Sequence, residues 1–239
     1  MPSSNHNGEI EGQSSDVPAV RPPFSAESQT PYSKIESLQR IGASQFAAFS
    51  AVDVSTRLKN AHVRHVIIGG HAMAAHGRIR NTEDVDVIAV DMEQAAACIA
   101  SMHLGSAVHR APGAMGCAVF AADGRKLADV LNYFGGAAFR YAIDTAKVLD
   151  GVSVPSPDAL MALKFEAVSS GTRPRDKRAM DLSDLIYLVT KFRDENASGT
   201  IRSMIGDLVE GDSCGDSLRG RARWETIYDA IVTGSPISI

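Results

Sequence analysis

The chain has 239 residues, a length typical of one domain of ordinary size with room for a small appendage. Apolar residues make up 44% and charged residues 22%, as in soluble globular proteins, which excludes collagen, coiled coils and disorder of the whole chain. The formal charge of −4 and the pI of about 6.0 give no overall attraction to nucleic acids or anionic membranes. We therefore expect any polyanion to be bound locally.

The three cysteines are Cys98, Cys117 and Cys214, which are far apart and form no CxxC pair. This spacing argues against a disulfide scaffold and against a zinc site. No apolar run reaches the ~18 residues of a membrane span, and no secretory signal pattern opens the sequence. These features predict a soluble cytoplasmic protein that does not contact a membrane.

Composition divides the chain into three parts. Residues 1–32 hold five of the ten prolines and little apolar surface, which predicts a disordered N-terminal tail. Residues 33–150 mix helical and strand patterns and form the predicted core, whereas 151–239 have mainly helical patterns.

The predicted core begins with helices and short strands in alternation. Apolar spacing and caps predict a helix or helix pair over 35–58, a buried strand over 65–70, a helix starting within 71–76, a strand over 85–90 and a helix over 91–104. Residues 107–133 follow as β-hairpin material around an Asp-Gly turn at 123–124.

The remaining pattern is helical. Ser156 and Pro157 predict the start of a helix that runs to 168, and a basic loop over 173–178 precedes a further helix over 181–192, with weaker helices over 200–209 and 223–232. The whole order predicts an α+β fold, in which a small mixed β-sheet is flanked by helices and followed by a helical C-terminal part.

Two aspartates stand at the mouth of the strand over 85–90. Asp84 and Asp86 are two residues apart, so in a strand both carboxylates point to one face, ~6 to 7 Å apart along the chain. Their repulsion raises the pKa of one carboxylate unless a cation joins them, and Mg²⁺ accepts such oxygen ligands. The alternative is that Asp84 caps the strand and Asp86 faces solvent.

Two glycines end the preceding strand. Gly69 and Gly70 precede a predicted helix, and glycines there let backbone N–H groups approach a phosphate, although a tight turn explains them as well.

The strand ending in Gly69-Gly70, the Arg80-x-Thr82 segment and the Asp84-x-Asp86 strand together resemble the nucleotidyltransferase superfamily that includes DNA polymerase β. Within it, the pattern is more similar to the minimal and AbiEii-type branch, known from toxin–antitoxin and phage-defence systems. The resemblance implies that Gly69, Gly70, Arg80 and Thr82 bind a nucleoside triphosphate. It also implies that Asp84 and Asp86 bind metal.

The resemblance requires a third carboxylate on a neighbouring strand. Asp129 is the candidate, since it interrupts an otherwise apolar strand, whereas the Asp-Gly turn already explains Asp123. The implied chemistry is attack of an acceptor hydroxyl on the α-phosphate of the triphosphate, with two Mg²⁺ ions held by Asp84, Asp86 and Asp129 and with pyrophosphate as the leaving group. Asp129 would help to deprotonate the acceptor.

The resemblance continues into the helical part. The helix over 158–168 carries Lys164, which the resemblance directs toward the nucleotide, although a lysine on an apolar helix commonly extends to solvent. Asp181 and Asp184 are similar to the family's following acidic helix, but Met180 stands where that family has a lysine. Lys177 or Arg178 would then take the place of that lysine.

Two function classes follow. The first is a Mg²⁺-dependent nucleotidyltransferase that acts on RNA such as tRNA, on a protein or on a small molecule, with a toxin-like role and an antitoxin partner as extensions of the resemblance. The second is a catalytically inert nucleotide-binding or protein-interaction protein that retains the fold. A dinucleotide-binding oxidoreductase fits poorly, because the glycines lack the G-x-G-x-x-G pattern.

Overall fold

The computed structural model describes residues 50–192, 200–212 and 217–237. The tail predicted over 1–32 and most of the helix pair predicted over 35–58 therefore lie outside the described residues. The final part of that pair is present as the first described helix.

The described strands are, in chain order, β1 (His65–Ile67), β2 (Val85–Ala89), β3 (Ala107–His109), β4 (Gly116–Phe120), β5 (Lys126–Asn132), β6 (Lys147–Leu149) and β7 (Val152–Val154). The described α-helices are α1 (Ala51–Asn60), α2 (Gly69–Ala75), α3 (Met92–Ala100), α4 (Ala137–Asp144), α5 (Pro157–Ser169), α6 (Arg175–Lys191), α7 (Thr200–Asp212) and α8 (Ser217–Thr233). A single 3₁₀ turn, Tyr133–Gly135, joins β5 to α4.

Five strands form one mixed sheet in the order β1-β2-β5-β4-β3. The central pair, β2 and β5, is parallel, and the other pairs are antiparallel. Because β2 and β5 are central and parallel, their equivalent residues lie side by side in the middle of the sheet. The predicted α+β class with a small mixed sheet and flanking helices is confirmed.

Sequence signals predicted the starts of helices α3 and α5. Asp91 caps α3 as predicted, since its carboxylate accepts a hydrogen bond of 2.9 Å from the backbone amide of Gln94. Pro157 opens α5 as predicted, but the Ser156 hydroxyl donates to Thr145 Oγ1 instead of capping the helix. The hairpin of β6 and β7 was not predicted, because strands of three residues are too short for a periodic pattern.

The basic loop predicted over 173–178 is mostly helical. Helix α6 begins at Arg175, six residues before its predicted start, and Pro174 takes the N-cap position. The charged first turn has no apolar period, so the sequence pattern did not reveal it as helix.

The helical C-terminal part packs on the core through aromatic residues. Trp224 of α8 is fully buried, lies edge-on to Phe165 of α5, and donates its indole N–H to the Arg202 carbonyl at 2.9 Å. These contacts join α8 to α5, the helix that carries Lys164, and to α7. Across the described residues, each helix is too short or too polar to cross a bilayer.

Candidate functional site

Three carboxylates converge on neighbouring central strands. The parallel register places Asp86 of β2 directly beside Asp129 of β5, and Asp84 lies one residue before β2. One carboxylate oxygen from each residue lies within 4.8 Å of the others, and all three side chains are partly buried. Three hard oxygen donors at this spacing fit a divalent cation such as Mg²⁺. The predicted convergence of Asp84, Asp86 and Asp129, hereafter the acidic triad, is present.

Gly69 makes room for the acidic triad. Its φ of +63° is one that side-chain-bearing residues rarely adopt, and a Cβ there would lie 1.9 Å from Asp86 Oδ2. At the next position, a Cβ on Gly70 would lie 2.7 Å from Thr82 Cβ. The two missing side chains therefore leave space for Asp86 and Thr82, a reason for glycine that the sequence did not reveal.

Thr82 supports the backbone that leads into β2. Its hydroxyl donates to the carbonyl oxygen of Asp84 at 3.3 Å while its side chain packs over Gly70. His71 of α2 is buried beside the same segment, and burial lowers its pKa to about 4, although the charge of Asp84 acts in the opposite direction. The imidazole is therefore neutral at neutral pH.

Asp86 carries the most perturbed carboxylate of the acidic triad. Burial raises its pKa, the charges of Asp84 and Asp129 raise it further, and the result is about 6. Lys126 and Lys164 oppose this rise. The ionised form is thus costly in the absence of a metal, which is the electrostatic signature of a cation site.

Lys126 is a site residue to which the sequence assigned no role. Its Nζ lies 2.6 Å from Asp84 Oδ2 and 2.7 Å from Asp129 Oδ2, so one ammonium bridges two members of the acidic triad. Burial lowers the pKa of this lysine, but the hydrogen bonds to Asp129 and Asp84 outweigh burial and raise it above its ordinary value. The one sequence feature that could have indicated this role is the position of Lys126, three residues before Asp129.

Two arginines connect the loop before β2 to helix α6. Arg78 Nε lies 3.0 Å from Asp184 Oδ1, and its guanidinium donates to the Ser183 carbonyl at 2.6 Å. Arg80 Nε lies 3.4 Å from the other carboxylate oxygen of Asp184. Both guanidinium groups are about a quarter exposed, whereas Asp184 is fully buried. The two arginines therefore share one buried carboxylate.

Lys164 is buried and ion-paired. Its Nζ lies 2.8 Å from Asp181 Oδ1 and 2.7 Å from Asp184 Oδ2, and the side chain is only 7% exposed. It therefore does not extend to solvent, one of the two alternatives considered for it. The charge of Lys164 nevertheless lowers the pKa of Asp86, so the ammonium acts electrostatically on the acidic triad.

The cations around Asp181 and Asp184 come from several elements. Arg173 Nε lies 2.6 Å from Asp181 Oδ2, so four cations meet two carboxylates and positive charge is in excess. We call this group the cationic cluster; its members are Arg78, Arg80, Lys164, Arg173, Asp181 and Asp184. Met180 is 43% exposed, and the positive charge near the acids comes from these four residues.

Asp123 lies outside the acidic triad. Its carboxylate accepts a hydrogen bond of 2.9 Å from the backbone amide of Arg125 and so stabilises the turn before β5. The choice of Asp129 over Asp123 as the third acid agrees with this geometry.

Comparison with protein-family models and with curated protein sequences found no match. Solved structures give partial likenesses. ANT(2")-Ia in complex with adenylyl-2"-tobramycin aligns with 76% of this chain and 94% of its own, at 16% identity and a TM-score of 0.41. JHP933 from Helicobacter pylori aligns with 85% and 92% at 15% identity and a TM-score of 0.42.

The Megavirus polyadenylate synthase aligns with 78% of this chain but 40% of its own, at 11% identity and a TM-score of 0.42. At these identities and scores the likeness assigns neither a family nor an activity.

Proposed function

We propose that this chain is a Mg²⁺-dependent nucleotidyltransferase, which moves a nucleoside monophosphate from a nucleoside triphosphate to an acceptor hydroxyl and releases pyrophosphate. The observation that carries the proposal is the acidic triad beside Gly69, where any side chain on residue 69 would collide with Asp86. Three partly buried carboxylates repel one another, and the single charge of Lys126 does not balance all three, which favours a divalent ion at this point.

The acidic triad would hold the metal. Two Mg²⁺ ions held there would supply positive charge to the attacking and leaving oxygens and would lower the pKa of the acceptor hydroxyl. Asp129 is the triad member that would accept the hydroxyl proton on a carboxylate oxygen. Asp84 and Asp86 remain ligands throughout.

The cationic cluster would bind the triphosphate. Arg80 and Arg78 are partly exposed and lie next to the loop that leads to Asp84, so their spare N–H donors can meet phosphate oxygens. Lys164 contributes its charge while the two buried acids hold it in place. Gly69, Gly70 and Thr82 would shape the floor under the phosphates.

The joint placement of Lys164, Asp181 and Asp184 supports the AbiEii-type branch within this proposal. The exposed basic residues at the start of α6 favour an anionic acceptor such as tRNA over a neutral small molecule. A toxin-like role with an antitoxin partner belongs to the same branch, and co-expression with a neighbouring gene product would test it by rescue of growth.

A labelling experiment tests the activity. Purified protein is incubated with each α-³²P-labelled nucleoside triphosphate, Mg²⁺ and, separately, total RNA, total protein and small-molecule extract. We expect label in one acceptor pool for the wild type and for Asp123→Asn, and none for Asp86→Asn or Asp129→Asn. Label transfer that survives both of the latter substitutions, or its absence from every pool with the wild type, would overturn the proposal.

A second candidate is an inert protein that binds nucleotide without transferring it. The bridging position of Lys126, which gives the acidic triad a cation of its own, favours this alternative. Nucleotide binding that does not depend on Mg²⁺, together with no labelling, would be its signature.

A further inference from the structure

Lys126 lies where a metal ion would bind. Its ammonium contacts one oxygen of Asp84 at 2.6 Å and one of Asp129 at 2.7 Å. An ammonium that hydrogen-bonds two carboxylate oxygens blocks those oxygens as ligands, because Mg²⁺ must approach them to ~2.1 Å. The lysine and the metal therefore compete for the same oxygens.

A β-bulge aims Lys126 into the acidic triad. In a regular strand, residues three apart point to opposite faces, so Lys126 and Asp129 should diverge. The register with β4 shifts at this place: Val119 pairs with Ala128 but Phe120 pairs with Lys126, which leaves Leu127 without a partner. The extra residue places Lys126 on the same face as Asp129, in agreement with the 2.7 Å contact between their side chains.

Lys126 is held in the acidic triad by two ion pairs and is partly open to solvent. Its side chain is 38% exposed. A lysine on a flexible four-carbon stem can leave such a position when a stronger cation arrives. A single positive charge also neutralises three converging carboxylates less completely than a divalent ion does.

We propose that Lys126 is a tethered cation that occupies the acidic triad in the metal-free protein and competes with the divalent ion for it. The inference rests on the proposed function, because it takes the acidic triad as the metal site. In the absence of substrate, Lys126 partly neutralises the acidic triad and so weakens the binding of a metal ion. The metal binds more tightly when a nucleoside triphosphate is present, because the phosphates can pair with the displaced ammonium.

Metal affinity measured without nucleotide tests the proposal. Mn²⁺ is titrated into wild type, Lys126→Met, Lys126→Arg and Arg125→Met at one low ionic strength, and free Mn²⁺ is followed by electron paramagnetic resonance. Arg125 is a matched control, since it is the adjacent cation, is 41% exposed and pairs with Asp123 in the turn.

We expect Lys126→Met to bind Mn²⁺ roughly three- to tenfold more tightly than wild type, the range of two partly exposed ion pairs. The Mn²⁺ affinities of Lys126→Arg and Arg125→Met should stay within about twofold of wild type. Lys126→Arg keeps a positive charge that competes with the metal, and Arg125→Met removes a charge that pairs with Asp123 outside the acidic triad. Equal or weaker binding by Lys126→Met would overturn the inference while leaving the metal site intact. No Mn²⁺ binding by any of the four proteins would overturn both the inference and the proposed function.

Discussion

The Cα of Gly69 faces the carboxylate of Asp86 so closely that a Cβ on residue 69 would lie 1.9 Å from Oδ2. The first residue of α2 and Asp86 of β2 therefore fit together as one unit. The backbone amide of Ile68 adds to this unit by donating to the Asp86 carbonyl at 2.9 Å. Any change at residue 69 acts directly on Asp86.

Gly69→Ala is expected to destabilise the protein and to lower its Mn²⁺ affinity, because Asp86 must move away from the new methyl group. Gly113→Ala is the control: Gly113 also has a positive φ, +73°, but no described atom lies within 4 Å of its Cβ position. Both substitutions incur the left-handed backbone penalty of about 1–2 kcal/mol. Gly69→Ala should cost about 1–3 kcal/mol more from the clash, measured by urea unfolding. Equal losses of unfolding free energy in the two variants would contradict the expected clash, because they would mean that Asp86 moves away from the new methyl group at no cost.

Asp86→Asn is expected to stabilise the metal-free protein at pH 7.5. The folded carboxyl has a pKa of about 6 against an ordinary value of 3.8, so the folded state holds the proton more tightly than the unfolded state. Stability consequently falls as the pH rises from about 4 to about 6, and the loss is complete above that range. Asparagine carries no charge and escapes this loss.

The midpoint of thermal unfolding checks this expectation at pH 4.5 and pH 7.5 in the presence of EDTA. The advantage of Asp86→Asn over wild type should be small at the lower pH and larger at the higher one. Asp123→Asn should show no such trend. A constant advantage at both pH values would show that the ionised carboxylate is not what destabilises the protein.

Asp184 is expected to be the costliest acid to neutralise. It is fully buried and serves Arg78, Arg80 and Lys164 at once, so Asp184→Asn leaves these cations without their shared counter-charge. Removing one partner of a buried ion pair typically costs about 3–5 kcal/mol. Asp144→Asn is the matched surface control, because its pair with Arg64 is more than half exposed on both sides and should cost below about 1 kcal/mol.

Urea unfolding of both variants measures the difference. A loss for Asp184→Asn no greater than that for Asp144→Asn would show that water solvates the cations around Asp184, contrary to the burial of Asp184 and Lys164.

The positions of the three acids in the sequence were informative, because Asp84 and Asp86 open one apolar strand and Asp129 interrupts another. Their prediction as one site came from the resemblance to nucleotidyltransferases. The order of the strands in the sheet could not be predicted from the sequence. Strand β5 lies parallel to β2 and so pairs Asp129 with Asp86, and this pairing depends on long-range packing that no local pattern encodes.

Lys126 and Lys164 could not be assigned in the same way. The direction of Lys126 depends on the bulge at Leu127, and bulges leave no distinct mark on an apolar strand. The partners of Lys164 lie on α6, 17 and 20 residues further along the chain, in a helix whose first turn was read as a loop. Residue types were thus more predictable than the contacts between them.

We propose that the acidic triad holds a divalent ion, which in turn binds a nucleoside triphosphate. Calorimetric titration with a non-hydrolysable triphosphate, with and without Mg²⁺, tests it for wild type, Asp86→Asn, Asp129→Asn and the control Asp123→Asn. We predict tight binding only with Mg²⁺ for the wild type and Asp123→Asn, and its loss in the other two. Binding of equal strength with and without Mg²⁺, unchanged in Asp86→Asn and Asp129→Asn, would contradict the claim.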